Sequence, residues 1–238
     1  MIVKSDYFPL FNDFENNGNI KIEKVLEFFE NSGGIHSNLV GNSISKMLEN
    51  GKTWILNEWS VEILKYPKNG ETKFEVRTWI LPQKSPLYSI REYELYAENE
   101  VYIRGSSKWI LFDLVGQKIC KIDKSLIDMY EPENFSNEFE VSKIEIPKNF
   151  DTQICVSIRK SDIDINKHVH NTLYLHLAYE ILPNEIYENM NFSKIRIFYK
   201  NGIKFGEKIV CKYAKIGNSH IVVIYDDKDN LKAILEFV

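Results

Sequence analysis

The chain reads as an α+β protein of two tandem units, each a long central helix wrapped by an antiparallel β-sheet. Three observations predict this class. A helix-then-strands order occurs twice, long aromatic and β-branched runs are separated by turn residues, and a polar, breaker-rich stretch parts the halves. In the first half, residues 20–31 place Ile22, Val25, Leu26 and Phe29 on one face, and Gly33-Gly34 predicts the end of that helix. After Asn50-Gly51 the period changes, and residues 53–64, 73–81, 87–97 and 101–114 read as four long strands rich in Trp, Tyr, Ile and Val. Lys68-Asn69-Gly70 and Glu98-Asn99-Glu100 are the turns expected between neighbouring strands.

Residues 131–149, carrying Glu131, Pro132, Glu133, Asn134, Glu138 and Pro147, predict a linker between an N-terminal unit (1–130) and a C-terminal unit (150–238). The second unit repeats a polar entry and a helix before strands at 194–200, 208–216, 219–227 and 232–238. Sliding the halves by 149 positions aligns Asp13 with Asp162, Glu15 with Asp164, Asn17 with Asn166, Ile20 with Val169 and Leu26 with Leu175. The two sheets are expected to pair side by side as a pseudo-dimer. Asn19 falls where the second copy has His168, so only that copy keeps an ionisable base. One active site per chain is expected, at the interface of the halves.

Composition excludes several classes. With 238 residues, 44% hydrophobic and 27% charged, the chain can bury one large core or two smaller ones, and disorder is not expected. A net charge of −4 argues against nucleic acid as the main partner. No run approaches a transmembrane length, and Asp6 and Pro9 interrupt the apolar stretch a signal peptide needs, so a cytoplasmic protein without a membrane span is expected. Cys120, Cys155 and Cys211 are odd in number and lack C-x-x-C spacing; they read as reduced core residues, with neither a disulfide framework nor a metal site.

Residues 161–174 carry the chemistry. Asp164, Asn166 and His168 alternate at spacing two, so an extended segment would project all three to one side. Val169, Leu173, Leu177 and Ile181 then form the stripe of a buried helix whose first turn offers backbone N–H groups to a developing negative charge. His168 is the candidate base, Asn166 the group that positions water or a carbonyl oxygen, and Asp164 the carboxylate that orients the cluster and stabilises an imidazolium. The amides of Val169 and His170 are the candidate oxyanion donors. A turn in which Asp or Asn merely caps a helix has the same spelling. His36, His176 and His220 lack such partners and read as surface or packing residues.

The pattern Asp164-x-Asn166-x-His168-Val169-x-Asn171-x-x-Tyr174 is similar to the D-x-N-x-H-V-N-N-x-x-Y signature of the acyl-acyl carrier protein thioesterases, a plant and bacterial family with a double hotdog fold. Residues 51–56, Lys65-Tyr66-Pro67 to Gly70-Glu71, Thr78-Trp79, and Ser106-Ser107-Lys108-Trp109 to Asp113 resemble that family's N-terminal landmarks in their usual order. The resemblance spans nearly the whole chain. It implies hydrolysis of fatty acyl-acyl carrier protein thioesters, releasing free fatty acid and ending chain elongation, with an acyl-chain pocket in the N-terminal unit and the site residues named above. No cofactor is implied.

Two positions depart from the pattern. Gly202 stands where many members carry an acidic residue, and His170 replaces the first Asn after Val; a cysteine once proposed as nucleophile in plant members would fall at Ile203. Glu180 and Glu207 are the candidate stand-ins for the acid, neither in the family's local context. Arg159, Lys160, Lys200 and Lys204, with Lys167, Lys194 and Arg196 nearby, are candidate docking residues for the acidic carrier, and read equally well as solvated faces. An acyl-coenzyme A thioesterase and a non-catalytic acyl-thioester binding protein stay open as alternatives, and a monomer or homodimer as the assembly.

Overall fold

A computed structural model describes residues 1–70, 73–139 and 143–238, in two compact units, Met1–Glu140 and Val141–Val238. Glu71 of the landmark run and residues 140–142 of the expected linker lie outside the described residues.

In the first unit, β1 (Val3–Tyr7) pairs with β3 (Phe74–Ile80), β3 with β4 (Ser89–Ala97), β4 with β5 (Glu100–Asp113) and β5 with β2 (Lys52–Ile63), all antiparallel. The short β6 (Lys118–Ile119) adds to β5. Glu98 and Asn99 take φ of 51° and 67°, the two-residue turn that suits a twisted hairpin. The turn expected at Lys68-Asn69-Gly70 does not join neighbours, because β2 pairs with β5 rather than with β3. Lys68 instead forms a bridge with Asn19 and donates its ammonium N–H to the Asn19 side chain, holding the loop before the first helix.

That helix, α1 (Ile22–Leu39), buries Ile22, Val25, Leu26 and Phe29 as the period required, but does not stop at Gly33-Gly34. Each helical glycine costs about 1 kcal/mol against alanine. Gly33 has a packing reason to be there: a Cβ would meet Arg91 Cδ at 3.3 Å and the Tyr93 hydroxyl at 3.5 Å. The missing side chain lets α1 approach β4. One turn earlier, Phe29 stacks on Tyr93 with centroids 4.9 Å apart, and Gly105 of β5 makes room, since a Cβ there would come within 2.6 Å of the Phe29 ring. Two short helices, α2 (Ile44–Glu49) and α3 (Lys124–Asp128), bring Met47 and Ile127 into a cluster with Ile80, Leu111, Ile122 and Tyr130. The segment that follows is irregular and tied to the sheet: the Trp79 indole donates to the Phe135 carbonyl, and the Asn137 N–H donates to Glu92 Oε2 at 3.0 Å.

At the buried end of α1, His36 is fully covered, with Nδ1 3.0 Å from a guanidinium nitrogen of Arg91. Burial first, then the positive charges of Arg91 and the N-terminal amine, push its pKa down to about 3. The fold therefore holds a neutral imidazole that must protonate on unfolding in acid. The stability this contributes is present above the unfolded value of ~6.5 and is lost as pH falls toward 3. Between pH 7 and pH 4 the thermal midpoint is expected to fall more steeply for the wild type than for His36→Gln. Equal slopes would remove the effect.

In the second unit the sheet order is β8 (Lys194–Tyr199), β11 (Leu231–Phe237), β10 (Ser219–Asp226), β9 (Lys208–Ile216) and β7 (Thr152–Ser157), again antiparallel throughout. Strand β7, polar on most of its exposed positions, carries a period-two signal too weak for the sequence to show it as a strand. The helix stripe expected from Val169 to Ile181 is shortened: α4 spans Leu173–Tyr179 and is followed by α5 (Asn184–Asn189). Pro183 precedes α5 and removes an amide, so the chain breaks into two short helices rather than one long one. Leu175, Leu177 and Ala178 of α4 are buried, and α4 packs against β11. Ile144, Ile221, Val223 and Ile234 form a further apolar cluster. Cys211 is buried, Cys120 half-buried and Cys155 exposed, so Cys155 is not the core residue expected.

Candidate functional site

The repeat read from the sequence has a local structural counterpart. Short 3-10 turns at Phe11–Asp13 and Lys160–Asp162 each end on an aspartate that accepts an N–H three residues back at 2.8 Å, Leu10 to Asp13 and Arg159 to Asp162. Each is followed by a closed loop, bridged between Phe14 and Ile20 in one unit and between Ile163 and Val169 in the other. Gly18 takes φ of 80° and its counterpart Lys167 takes 62°, the left-handed turn that closes each loop. The first copy places Asn19 against Lys68; the second places His168 against Gly202.

The loop is a turn, not the extended segment expected, and a different force gathers its residues. The Asp164 N–H donates to the His168 carbonyl at 2.8 Å, and the Lys167 N–H to the Asp164 carbonyl at 3.0 Å. Inside this ring the Asp164 carboxylate accepts from the Asn166 N–H at 2.8 Å, the His168 N–H at 3.3 Å and the Asn166 amide at 3.4 Å. Aspartate favours such side-chain-to-backbone closure. Asp164, Asn166 and His168 are thus brought together, but Asp164 organises the loop backbone rather than facing the imidazole.

The His168 ring has its own fixed partner. Nδ1 lies 2.8 Å from the Asn166 carbonyl oxygen, which can only accept, so Nδ1 carries a proton and, in the neutral ring, Nε2 keeps its lone pair. The ring packs against Gly202: a Cβ there would sit 2.6 Å from Cδ2 and 3.3 Å from Nε2. The position where the resembling family carries an acid is therefore overlapped by the imidazole itself. Beneath, the Tyr174 hydroxyl accepts the Ile203 N–H at 3.1 Å and the Tyr199 hydroxyl donates to the Asn171 carbonyl at 3.0 Å, fixing the loop to α4 and β8. Burial raises the Tyr174 hydroxyl well above its ordinary range, so it stays a neutral strut.

Val169 and His170 do not offer free amides. The Val169 N–H donates to the Ile203 carbonyl at 2.8 Å and the His170 N–H to the Asp162 carbonyl at 3.2 Å, and the helix opens only at Leu173. The sheet-like bridge that closes the loop uses the donors that a helix start would have left open. His170 has its Nδ1 3.0 Å from the Thr172 hydroxyl, a contact at the entry to α4.

His168 opens onto a cavity of about 460 Å³ whose wall is polar. Sequence reasoning missed Asp226, Asn230 and Lys232 in that wall. Lys232, on β11, is 6% exposed, and its ammonium lies 2.6 Å from Glu207 Oε2, 3.6 Å from Asp226 Oδ2 and 3.4 Å from the Gly202 carbonyl. A lysine in a strand reads as surface, and no spacing links it to His168. Glu207 lines the cavity; Glu180 does not. Of the basic residues, Lys204 lines the cavity and is exposed, Lys200 and Lys160 are exposed, and Arg159 is held by Asp162 at 2.9 Å. Arg196 pairs with Glu236 at 3.2 Å. Among the described residues no group of three His, Cys, Asp or Glu side chains is placed to hold a metal ion. No helix of the described residues is long and apolar enough to cross a membrane.

Residues 2–130 match the acyl-ACP thioesterase N-terminal domain and residues 145–237 its C-terminal domain. The chain is 24% identical over 199 residues to an oleoyl-acyl carrier protein thioesterase of Coriandrum sativum, covering 75% of this chain and 53% of that protein. It is 26% identical over 196 residues to a palmitoyl-acyl carrier protein thioesterase of Cuphea hookeriana, covering 75% and 46%. The chain spans about half the length of the curated relatives it matches. Among solved structures, an acyl-ACP thioesterase from Bacteroides thetaiotaomicron superposes with a TM-score of 0.88 at 19% identity, covering 100% of this chain and 97% of that one. The 12:0-ACP thioesterase of Umbellularia californica gives 0.86 at 17% identity, covering 99% and 96%. The fold is that of these hotdog proteins, and both domain matches together place the chain in the acyl-ACP thioesterase family.

Proposed function

We propose that this chain hydrolyses fatty acyl-acyl carrier protein thioesters, releasing free fatty acid and ending chain elongation. The observation that carries the reading is His168: an imidazole with Nδ1 anchored on a carbonyl and Nε2 bare, on the rim of a polar cavity, within the family's signature. A thioester carbonyl is electrophilic enough for an activated water to attack directly. His168 Nε2 takes a proton from that water as its oxygen bonds to the acyl carbon; the C–S bond then breaks, and the imidazolium returns the proton to the departing thiolate. Asn166 and Asp164 hold the imidazole in this tautomer and position, and nothing in the scheme draws on a cofactor.

Removing the loop's organiser tests that role. Asp164→Ala strips the acceptor from two backbone N–H groups and is expected to lower kcat by about tenfold to a hundredfold, with about 1–3 kcal/mol lost from the loop's hydrogen bonds. Asp164→Asn keeps an acceptor oxygen and is expected to retain much more activity. Equal rates for the two variants would show that the carboxylate does not act through the loop.

The partner under this reading is the acyl carrier protein, met by the exposed Lys200 and Lys204 beside the cavity, with Lys160 as a further contact. Charge reversal at Lys200 and Lys204 is expected to raise KM for a carrier-linked thioester several-fold while changing it little for the coenzyme A ester. An unchanged KM would remove the docking surface. Three unpaired cysteines suit the reducing cytoplasm, and the chain would act there as a monomer or homodimer. The rate of free-thiol release from the same acyl group on carrier protein and on coenzyme A tests the substrate class. Faster turnover of the carrier-linked form is expected; a preference for coenzyme A would reassign the enzyme to acyl-coenzyme A hydrolysis.

A further inference from the structure

We propose that Glu207 is a catalytic residue of this site, holding the attacking water together with His168. The inference rests on the thioesterase reading above and adds a residue to it.

Two carboxylates face the cavity, and only one has spare capacity. Asp226 accepts N–H groups of Lys228 at 3.0 Å and Asn230 at 2.9 Å on Oδ1, and the Asn230 amide at 2.9 Å on Oδ2, so it is consumed in closing the turn between β10 and β11. Glu207 sits just before β9, after Gly206 at φ 86°, with its N–H donating to the Lys204 carbonyl at 3.2 Å. Its Oε2 lies 2.6 Å from the Lys232 ammonium in an ion pair, Oε1 accepts no hydrogen bond among the described residues, and the partly exposed side chain lines the cavity.

The cavity thus presents two bare acceptors, Nε2 of His168 and Oε1 of Glu207. A water between them donates one O–H to each and keeps a lone pair for the acyl carbon. In the attack the O–H facing His168 gives up its proton to Nε2, the new C–O bond forms, and the other O–H stays on Glu207. Collapse breaks the C–S bond, the thiolate takes the proton from Nε2, and the carboxylic acid leaves. Gly202 fits this arrangement, because a side chain there would lie 3.3 Å from Nε2, on the edge the water must reach. The buried ammonium of Lys232 holds the carboxylate in place through Oε2.

The competing explanation is that Glu207 only neutralises Lys232. Steady-state kinetics on a carrier-linked thioester, with melting temperatures, separate the two for wild type, Glu207→Leu, and the double variant Glu207→Leu with Lys232→Met. The double variant removes the ion pair as a unit, which a fold tolerates better than a buried charge left alone. The proposal expects kcat about a hundredfold down in both, with KM within twofold, even where the double variant melts like the wild type. It also expects formate to restore part of the kcat of Glu207→Ala by supplying the missing oxygen. A folded double variant with near wild-type kcat, or no formate response, overturns the proposal and leaves the thioesterase reading standing. A wild type that releases no more thiol than His168→Ala from either carrier overturns both.

Discussion

Replacing His168 by alanine is expected to lower the rate of thiol release by about 10²- to 10⁴-fold, the usual contribution of a positioned general base. The loss should fall on kcat. His168 contributes a proton acceptor, and the alanine variant keeps the loop: the carboxylate of Asp164 still accepts the backbone N–H of residues 166 and 168, and the Ile163–Val169 bridge involves no His168 side-chain atom. The melting temperature should therefore change little. Steady-state kinetics with a thermal melt check both halves. A variant retaining more than a tenth of the wild-type rate would remove His168 from the base role.

The second large effect is expected at Gly202. In Gly202→Ala the new methyl group would lie 2.6 Å from His168 Cδ2, closer than carbon atoms approach, so either the ring or the strand end must give. The backbone here is pinned: the Lys200 N–H donates to the Lys232 carbonyl at 2.8 Å and the Ile203 N–H to the Tyr174 hydroxyl at 3.1 Å. The imidazole is the softer partner. It should swing away, losing the 2.8 Å bond to the Asn166 carbonyl that fixes its tautomer. A fall in kcat of about tenfold or more is expected, as for a misplaced catalytic group. Gly202→Glu, which restores the family's acid, should not rescue this chain, because its Cβ meets the same ring. A Gly202→Glu variant as active as the wild type would show that His168 is not held where the structure places it.

The fold was legible in the sequence where packing and periodicity agree. The runs that became β2–β5 and β8–β11 alternate or are continuously apolar because their sheets bury them, and the stripe of Ile22, Val25, Leu26 and Phe29 marked α1. Legibility failed where tertiary contact overrides a local rule. Gly33 reads as a helix stop unless one knows that the α1 surface must press against Arg91 and Tyr93. Strand β7 alternates in burial on an edge with polar residues, too weakly for a sequence pattern to register.

The site divided along the same line. Asp164, Asn166 and His168 are close in sequence, so their spacing exposed them, although a turn and not a strand gathers them. The amides of Val169 and His170 were misread because a helix start leaves N–H groups open, while a bridged loop turns them to the carbonyls of Ile203 and Asp162. Lys232, on β11, and Glu207, just before β9 and named in the sequence only as a stand-in for the missing acid, come together with His168 only through the fold, a proximity that no one-dimensional spacing carries.

The central claim is that this chain turns a carrier-linked acyl thioester into free acid and thiol through His168. The measurement that tests it most directly follows both products, free thiol and free fatty acid, from a panel of acyl carrier protein thioesters of different chain length. Equal amounts of the two products at a catalytic rate, with at least one chain length preferred, are expected. Tight binding of the acyl thioester without release of either product would contradict the account and make the chain a binding protein on a hydrolase scaffold.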